Sequence, residues 1–493
     1  MVNVDYKNLF GGVDSRSNYS QEDKKITFWE ESKNVEVFGK AIRRMNGCFN
    51  VLDSDFSGQI TAIGEHEIYG GFHSRLVTLE GKYYRFNEKN GSSAAVKTGL
   101  TTNSQSRPWI TQFRDKCVVI TGYDDPFLDD GTSITQTTLY DEKSVYGTCG
   151  AEFHGHLFIG SGRTLYWSAA GDPTDWTTSN DAGFDANFNG NILSIIPYSE
   201  YLVILTTQNI YLWSGYDNTT FQKVLFSRTG VQSKFAACKY EEKIYVFTQE
   251  GLFQLEQLGD MAQLNVREPL SFRIIDSLAD DLDTGRMGDI RIVPYEQNKQ
   301  IWCYIPIKNQ SGLYRCWIAN FANNKDSKVI SFYPREGLAI TAAGSLKGEI
   351  FTGTSTGKIY KENKGNDFDG TVIDWSVKLS FSLGKFSIIK YVEFLKLQAS
   401  ASVYNKFTLN KGFNEEFYKS TDIDYVVSSQ YGIWDESNWD ESYWASEFDR
   451  LTRTLGLHRR FTSIQLEFKG DEADDNIYLY GMTFINAKAT NEI

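Results

Sequence analysis

The stretch EKIYVFTQEGLFQLEQ, residues 242–257, holds two short apolar runs on either side of a turn. Residues 244–247 form the first run, a Gln-Glu-Gly turn ends at Gly251, and residues 252–255 form the second run. β-branched and aromatic residues favour strands, and glycine accepts the backbone angles of a tight turn. The stretch therefore predicts a β-hairpin.

The same pattern recurs along most of the chain. It is seen at 74–87, 116–131, 154–168, 201–215, 242–257, 299–320 and 348–363. Successive hairpins are spaced roughly 40–50 residues apart, a period typical of β-propeller blades. We predict a degenerate propeller of about seven blades, which keeps no WD40 or kelch motif. Ordinary hairpins in one or two β-sandwiches are the alternative, and the even spacing favours the propeller.

The predicted fold class is all-β, with the propeller joined to a β-sandwich-like tube or platform domain. We assign residues 1–60 to N-terminal strands of the tube or platform and residues 61–369 to the propeller. Residues 370–493 form a C-terminal β domain with a Trp-rich loop, and this region builds the platform together with the N-terminal strands. Within it, residues 373–400 and 459–489 each resemble one long strand pair without the turn of the repeat.

The composition bears on function. The chain has 493 residues, a formal net charge of −13 and 15% aromatic residues. An acidic chain is poorly suited to gripping nucleic acid, which requires Lys and Arg, but it suits a surface that DNA slides past. The six cysteines form no CxxC pair, so we expect reduced core thiols. We expect neither a signal peptide nor a membrane-spanning run.

Residue patterns for catalysis are sparse. His154 and His156 form an HxH pair, which on a strand would place both imidazoles on one face, but no third metal ligand accompanies them. We interpret them as strand histidines at a blade edge. The acidic run LADDLDTGRMGDIR (278–291) lacks the spacing of a calcium loop and predicts a solvated loop between blades. We assign no catalytic, metal-binding or cofactor-binding residue and expect no enzyme activity.

One segment places two tryptophans around a turn. In GRTLYWSAAGDPTDWTTS (162–179), Trp167 and Trp176 flank a Gly-Asp-Pro-Thr-Asp turn. Glycine can adopt positive φ, proline presets φ, and Asp side chains can bond the backbone two residues on. The local chemistry therefore predicts a tight turn, and the two tryptophans are candidates for structural or interface roles.

A second segment, YGIWDESNWDESYWASEF (431–448), carries three further tryptophans. Trp434, Trp439 and Trp444 are spaced five residues apart, which matches neither a helix face nor a strand face. We expect an irregular loop held by aromatic side chains. These side chains, with Tyr443, either plug the sandwich or form subunit contacts, where Trp and Tyr are favoured.

Three segments in chain order resemble the tail hub, or nozzle, proteins of short-tailed bacteriophages. That family includes the packaged-DNA stabilisation proteins and, more distantly, the tail tubular protein B type. The segments are WEESKNVEVFGKAIRRMNGCFNV (29–51), LYWSAAGDPTDW (165–176) and IWDESNWDESYW (433–444), the last followed by RRFTSIQLEF (459–468) and YLYGMTFI (478–485). The residues that carry the first two are Asn34, Val35, Gly39, Arg44 and Gly47, then Tyr166, Trp167, Ser168, Gly171, Asp172, Pro173 and Trp176.

The resemblance implies a structural virion protein of the phage tail, assembled in the host bacterial cytoplasm. It would be a homohexamer that forms the distal channel, retains packaged DNA and passes it during ejection. Implied partners are the portal-adaptor (head-to-tail connector) protein and tail spikes, fibres or a needle or plug. Genomic double-stranded DNA would be in transit and not bound sequence-specifically, and the host membrane would be met only indirectly.

Charge is compatible with this interpretation, because six copies would carry about −78 (6 × −13) and let a polyanion pass. Asp280, Asp281 and Asp283 are the candidates for facing the DNA path. Two alternatives stay open. One is a tail-borne propeller adhesin or receptor-binding protein, and the other is a propeller hydrolase acting on glycans through two acidic residues.

Overall fold

The computed structural model describes most of the chain. The described residues are 2–16, 26–52, 54–68, 71–78, 80–87, 93–101, 107–255, 269–323, 329–383, 388–401, 405–414, 416–425, 451–471 and 477–489. Within them the strands form nine sheets, of which seven follow one another along the chain as propeller blades and two face each other as a sandwich. This confirms the predicted all-β fold class of a propeller joined to a sandwich.

The chain starts in the sandwich and then enters the propeller. The first strands are β1 (Val2–Tyr6), β2 (Glu31–Lys33), β3 (Val35–Phe38), β4 (Ala41–Arg44) and β5 (Cys48–Asn50). The first four strands belong to the sandwich, whereas β5 belongs to a propeller blade. The predicted N-terminal segment thus serves both parts of the molecule.

Each blade is an antiparallel meander whose strands follow in chain order. Blade 1 contains β6 (Ile60–Ile68), β7 (Gly71–Thr78), β8 (Tyr83–Phe86) and β9 (Ser93–Lys97). Blade 2 contains β10 (Trp109–Phe113), β11 (Lys116–Ile120), β12 (Phe127–Asp129) and β13 (Ile134–Gln136). Blade 3 contains β14 (Cys149–Phe153), β15 (His156–Ser161), β16 (Thr164–Trp167) and β17 (Gly183–Asp185). Blade 4 contains β18 (Ile192–Tyr198), β19 (Tyr201–Thr206), β20 (Ile210–Ser214) and β21 (Gln222–Ser227).

The last three blades complete the ring. Blade 5 contains, among its described strands, β22 (Ala237–Tyr240), β23 (Lys243–Thr248) and β24 (Gly251–Leu255). Blade 6 contains β25 (Arg291–Tyr295), β26 (Gln300–Pro306), β27 (Tyr314–Asn320) and β28 (Ser331–Leu338). Blade 7 contains β29 (Ala342–Leu346), β30 (Glu349–Gly353) and β31 (Ile359–Glu362), extended by β32 (Asp367–Phe368) and β33 (Thr371–Val372).

Blade 7 closes the propeller with a strand from the other end of the ring. Strand β5 lies between β31 and β32, with Tyr360 opposite Asn50 and Lys361 opposite Phe49. The segment immediately before blade 1 therefore pairs with the last blade. Because one blade uses strands from both ends of the propeller, the ring cannot open without losing these backbone pairs.

The sandwich takes its remaining strands from the C-terminal region. They are β34 (Trp375–Phe381), β35 (Lys390–Ala401), β36 (Asn405–Phe413), β37 (Glu416–Tyr425), β38 (Leu451–Phe461), β39 (Ile464–Gly470) and β40 (Ile477–Ala489). One sheet has the order β3-β4-β40-β35-β38, with β1 also pairing β40, and the other has the order β2-β34-β39-β36-β37. The predicted strand pairs at 373–400 and 459–489 are wrong, because β34 and β35, like β39 and β40, lie in opposite sheets.

Helices are short and lie in connections. They are α1 (Leu139–Lys143), α2 (Ile275–Asp281) and the 3-10 turns Thr178–Asn180, Phe272–Ile274, Thr284–Asp289 and Glu296–Asn298. In the part of the chain that the structure describes, no helix is long and apolar enough to cross a bilayer.

The propeller and the sandwich share one apolar core, joined by the segment before β2. Trp29 is fully buried, donates from Nε1 to the Leu9 carbonyl at 2.7 Å and stacks on Tyr333 of blade 6. The Val13 amide donates to the Phe332 carbonyl at 2.7 Å. These contacts fix the sandwich against the outer strand of blade 6.

Candidate functional site

One cavity opens on one face of the propeller and has a volume of about 490 Å³. Its lining comes from the segments that precede the first strand of five consecutive blades and from two turns between second and third strands. The lining residues are Arg107, Thr121, Gly122, Tyr123, Thr148, Gly162, Asn191, Ile192, Leu193, Gln232, Ser233, Lys234, Gly288 and Asp289. We call this cavity the propeller mouth. It lies over the channel that the first strands surround.

An aromatic stack narrows the channel beneath the mouth. Trp109 of blade 2 stacks on Phe235, which precedes blade 5, with ring centroids 5.7 Å apart. The Arg291 guanidinium of blade 6 lies 4.5 Å from the Phe235 ring centroid. The remaining channel has a volume of about 160 Å³, and the segments that carry these three residues also line the mouth. The channel is therefore narrower than the mouth above it.

The mouth and channel carry more positive than negative charge. Their lining contains Arg107, Lys234 and Arg291 against the single carboxylate Asp289, a local excess of +2 (three cations less one carboxylate). Asp289 is already engaged, with Arg107 at 3.3 Å and Arg286 at 3.4 Å. An acidic protein thus presents a basic pocket at the axis of its propeller.

The cations in this pocket are poorly compensated. The pKa of Lys234 is lowered to about 8, chiefly by desolvation, with Cys149 opposing the shift and the charges of Arg291 and Arg107 adding to it. Desolvation and the charge of Arg107 likewise lower the pKa of Arg291 to about 10. Lys234 Nζ donates to the Thr148 carbonyl at 3.1 Å and Arg291 Nη2 to the Thr341 carbonyl at 2.8 Å. Neutral carbonyls therefore stand where carboxylates would neutralise these charges.

This lining suits binding better than hydrolysis. Glycoside hydrolysis uses two carboxyl groups flanking the bond, and the lining of the mouth contains one carboxylate, which is held by two arginines. Two cations with unused N–H donors favour a negatively charged ligand instead.

The structure separates the three aspartates that we expected to face DNA. Asp280 is exposed at the end of α2, and Asp283 accepts from the Gly285 amide at 3.0 Å at the start of a 3-10 turn. Asp281 is buried, forms an ion pair with Arg315 and accepts from Trp317 Nε1 at 3.0 Å. For Asp281 the prediction of a solvated loop is wrong, because this carboxylate ties α2 to blade 6.

Trp167 and Trp176 fill two different gaps between blades. Trp176 is fully buried with Phe113 and Leu157 between blades 2 and 3. Trp167 packs with Phe158 and Trp213 between blades 3 and 4. The turn that separates them carries the second tryptophan to the opposite side of blade 3, which explains the pair. Both side chains serve the core of this chain and are not exposed to a partner.

The turn itself has the predicted chemistry. The Asp172 carboxylate accepts from the Thr174 amide at 2.9 Å, and the Asp175 carboxylate accepts from the Thr177 amide at 2.8 Å. Gly171 has a φ of +78°. These bonds satisfy the backbone of an exposed connection between β16 and β17.

The histidine pair does not share a strand face. His154 has a φ of +49° and lies in the turn between β14 and β15, with its ring tilted against that of Tyr216 and the two centroids 4.4 Å apart. His156 begins β15, is buried and lies with Nδ1 2.7 Å from the Ser168 carbonyl. The prediction of two strand histidines is wrong for His154. Among the described residues, no group of three or more His, Cys, Asp or Glu side chains is placed to hold a metal ion.

Other predicted features have mixed outcomes. All six cysteines are buried and none of them forms a disulfide, as expected for core thiols. The segment with Trp434, Trp439, Tyr443 and Trp444 lies outside the described residues, so its role stays a prediction.

The N-terminal residues that carry the family resemblance lie at the junction between sandwich and propeller. There, Asn34 Nδ2 donates to the Asp374 carbonyl at 2.9 Å and Asn34 Oδ1 accepts from the Glu336 amide at 2.8 Å.

The sandwich has one covered side and one open side. Strands β2 and β3, consecutive through Asn34, form one end of each sheet and lie against β28 of blade 6. Strands β37 and β38 form the opposite ends, and in the described strands β37 pairs only with β36 and β38 only with β35. We call β37 and β38 the open edge. It is ten and eleven residues long, and most described β38 side chains are exposed.

Comparison with known proteins shows no relative by sequence. No family model matches the chain, and no curated protein matches it. The fold and the pocket thus define the chain as a propeller inserted into a β-sandwich, on the evidence of its own sheets.

Solved structures give partial superpositions. The structure titled "YCF48 bound to D1 peptide" has a TM-score of 0.41 and 9% identity, covering 64% of this chain and 94% of that chain. The RRP9 WD40 repeats give a TM-score of 0.40 and 8% identity over 65% of this chain and 99% of that chain. The computationally designed Ika8 protein gives a TM-score of 0.37 and 10% identity, covering 64% of this chain and 99% of that chain. These similarities concern the propeller and say nothing about function.

Proposed function

We propose that this chain is a structural virion protein, the tail hub or nozzle of a short-tailed phage. In this proposal six copies form the distal channel, receive DNA from the portal-adaptor protein and pass it during ejection. The sandwiches build the channel wall, and the propellers stand outside it. The proposal starts from the three sequence segments that resemble this family.

The open edge is the observation that carries the proposal. A long edge strand presents unpaired backbone N–H and C=O groups, and native proteins normally shorten, cover or bulge such an edge. Here both sheets end on the same side in long strands, joined by the 25-residue segment 426–450. The opposite side is covered by the propeller. An edge of this kind fits pairing with a neighbouring subunit, and repeated head-to-tail pairing that closes gives a ring.

The propeller channel is not the route for DNA in this proposal. The Trp109–Phe235 stack leaves about 160 Å³ of free volume on the propeller axis, far too little for a duplex. DNA would pass along the axis of the hexamer instead, between the acidic subunits.

A charge reversal on the open edge tests the proposal. Arg460 is exposed on β38, so Arg460→Glu should leave the chain folded and prevent it from capping tails that lack this protein. The control is Lys239→Glu, an exposed cation on blade 5, which should cap tails normally. Capping would be scored by negative-stain microscopy and folding by circular dichroism. If the Arg460→Glu variant capped tails normally, the open edge would not be part of the subunit interface.

We further expect the isolated chain to be monomeric at micromolar concentration, because assembly has to wait for a filled head. Mass photometry would measure this directly, and spontaneous hexamers would contradict it. A trimer that binds host cells would instead favour the adhesin alternative, and activity on a capsular glycan would favour the hydrolase.

A further inference from the structure

The propeller mouth and the channel beneath it hold two cations, Lys234 and Arg291, that form no ion pair with a described carboxylate. Arg291 retains only 3% of its exposure, yet among the described residues no carboxylate forms an ion pair with it. Its guanidinium has five N–H donors, and the described contacts use one of them, in the bond to the Thr341 carbonyl. A buried charge without a counter-charge is costly to the folded state, so a counter-ion from outside would relieve that cost.

Lys234 points to the same place from a neighbouring blade. It is half-buried in the mouth, donates to the Thr148 carbonyl and lies 5.7 Å from the centroid of the Phe235 ring that Arg291 also contacts. Lys234 in the lining of the mouth and Arg291 in the lining of the channel thus both lie close to the Phe235 ring. Arg107 adds a third cation, although Asp289 already pairs with it.

The shape of the mouth fits a small ligand. Its volume of about 490 Å³ falls within the range of small-molecule pockets, and the aromatic stack narrows the channel beneath it. Two glycines with positive φ, Gly122 at +89° and Gly162 at +57°, lie on its rim, where backbone can approach a ligand closely. The mouth and the channel together carry a local excess of +2, which matches a doubly charged anion.

We propose that the propeller mouth, where it meets the channel beneath it, is a binding site for a small dianion of the phosphate class, held by Lys234 of the mouth and Arg291 of the channel with Arg107 at its edge. Arginine and lysine with unused donors are the side chains that bind such oxyanions most strongly. The phosphate could be free or carried on a small organic group. This inference is independent of the tail-hub proposal, because it concerns the propeller axis and not the sandwich.

Calorimetry on the purified full chain tests the site. Inorganic phosphate, sulfate, a nucleoside monophosphate and acetate would be titrated at constant ionic strength and pH 7. We expect one saturable site per chain for phosphate and sulfate, and no site for acetate at the same concentration. Tighter binding of the nucleotide would assign the phosphate to an organic carrier, and equal or weaker binding would assign it to the free ion. Absence of saturable phosphate binding would overturn the proposal.

Single substitutions test which side chains form the site. Lys234→Gln and Arg291→Gln should each weaken phosphate binding about tenfold or more, since each removes a charge-assisted contact. Lys239→Gln, an exposed cation on β22 of the same blade, is the matched control and should bind as the parent does. Equal weakening by all three variants would mean a general charge effect and would overturn the proposal.

A second measurement uses the unaltered protein. A lysine with a lowered pKa is reactive toward amine acylating reagents at neutral pH. Phosphate should therefore slow the labelling of Lys234 in proportion to occupancy and leave that of Lys239 unchanged, as read by mass spectrometry of peptides. If saturating phosphate left the labelling rate of Lys234 unchanged, the assignment would be contradicted. This result does not depend on whether any variant folds.

Discussion

Gly47 lies where the chain leaves the sandwich and enters blade 7, and a larger residue does not fit there. A Cβ atom at this position would lie 1.5 Å from the Asp367 carbonyl oxygen. The Gly47 carbonyl accepts from Arg335 Nη2 at 3.1 Å and from the Lys364 amide at 3.0 Å. The glycine noted in the sequence for its family resemblance thus has a packing reason of its own.

We predict that Gly47→Ala lowers the free energy of unfolding by about 2 kcal/mol or more, because overpacking against backbone forces the linker away from blade 7. Gly285→Ala is the control, since an added Cβ there meets only the Asp283 side chain, at 3.3 Å. It should change stability by no more than about 0.5 kcal/mol. Urea unfolding measures both, and equal losses would contradict the account of Gly47.

Lys234 makes stability depend on pH in a defined direction. Its pKa is lowered from 10.5 to about 8 in the folded protein, so the unfolded chain binds more protons between these values. Stability should therefore rise with pH from about 8 to 10.5 relative to a variant without the amine. Lys234→Met should be more stable than the parent at pH 7, by roughly 1–2 kcal/mol after solvent screening, and the difference should vanish near pH 10.5. Urea unfolding across this pH range would show a constant difference if the amine were unperturbed.

The sequence could not reveal this pocket. Arg107, Lys234 and Arg291 are far apart in the chain and form no motif. They meet because each lies near the start of the first strand of its blade, where blades converge on one axis. The one available signal was positional, since Lys234 precedes Phe235 and Arg107 closely precedes Trp109 at equivalent points of two repeats.

At the scale of the element, the middle hairpin of each blade was predictable and the flanking strands were less so. The seven predicted hairpins correspond to the second and third strands of the seven blades in the described structure. These strands are flanked on both sides and short turns join them, so their apolar pattern is strong.

The first strand of a blade is harder to recognise in the sequence, because a neighbouring blade packs closely against it. Gly64 lies against Ile110 of blade 2, Gly150 against Ile120, and Gly344 against the Ile63 carbonyl, each with less than 3 Å available to a Cβ atom. Neighbouring blades can approach only where the side chain is absent, and glycine weakens the strand pattern. The close packing of the blades therefore makes their first strands harder to recognise in the sequence.

The strand pairing of the sandwich was predicted wrongly for a different reason. Each of the segments 373–400 and 459–489 contains two strands joined by a short connection, which by sequence resembles a hairpin. In the structure each connection crosses from one sheet to the other. Alternating apolar residues show which face is buried and not which strand is the partner, so the pairing could not be read.

Ring closure by β5 gives a prediction at this scale. Phe49→Pro should lower the melting temperature by several degrees, because proline removes a backbone donor between β31 and β32. Phe49→Ala is the matched control and should have little effect, since the Phe49 side chain is 44% exposed. Thermal unfolding by circular dichroism compares them, and an equal loss in both would mean that the side chain and not the pairing matters.

A buried ion pair fastens blade 7 to blade 6. Arg335 and Glu362 have fully buried side chains 2.6 Å apart, and Arg335 Nη1 also donates to the Asn46 carbonyl at 2.6 Å. Glu362 Oε1 accepts from Thr352 at 2.6 Å. This group joins β28, β31 and the linker before β5.

Breaking that pair should be strongly destabilising. We predict that Arg335→Met lowers the free energy of unfolding by about 3–5 kcal/mol, because it leaves the Glu362 charge buried alone. The double variant Arg335→Met, Glu362→Leu should regain a large part of the loss. Urea unfolding of the single and double variants gives the coupling free energy, and additive losses would contradict a direct pair.

At the scale of the whole molecule, one chain builds its sandwich from both ends and inserts a complete propeller between them. The propeller covers one side of the sandwich, and on the other side β37 and β38 each pair with one strand among the described strands. Net charge is −13 overall, while the propeller axis holds a local positive pocket. Our two proposals place assembly on the sandwich and small-anion binding on the propeller.

The most direct test of the tail-hub proposal is negative-stain microscopy of the purified chain mixed with phage tail particles that lack it. The proposal predicts a sixfold ring that caps the tail, with propellers projecting outward and a channel on the sixfold axis. A chain that stays a monomer or trimer, binds host cells and never caps tails would contradict it.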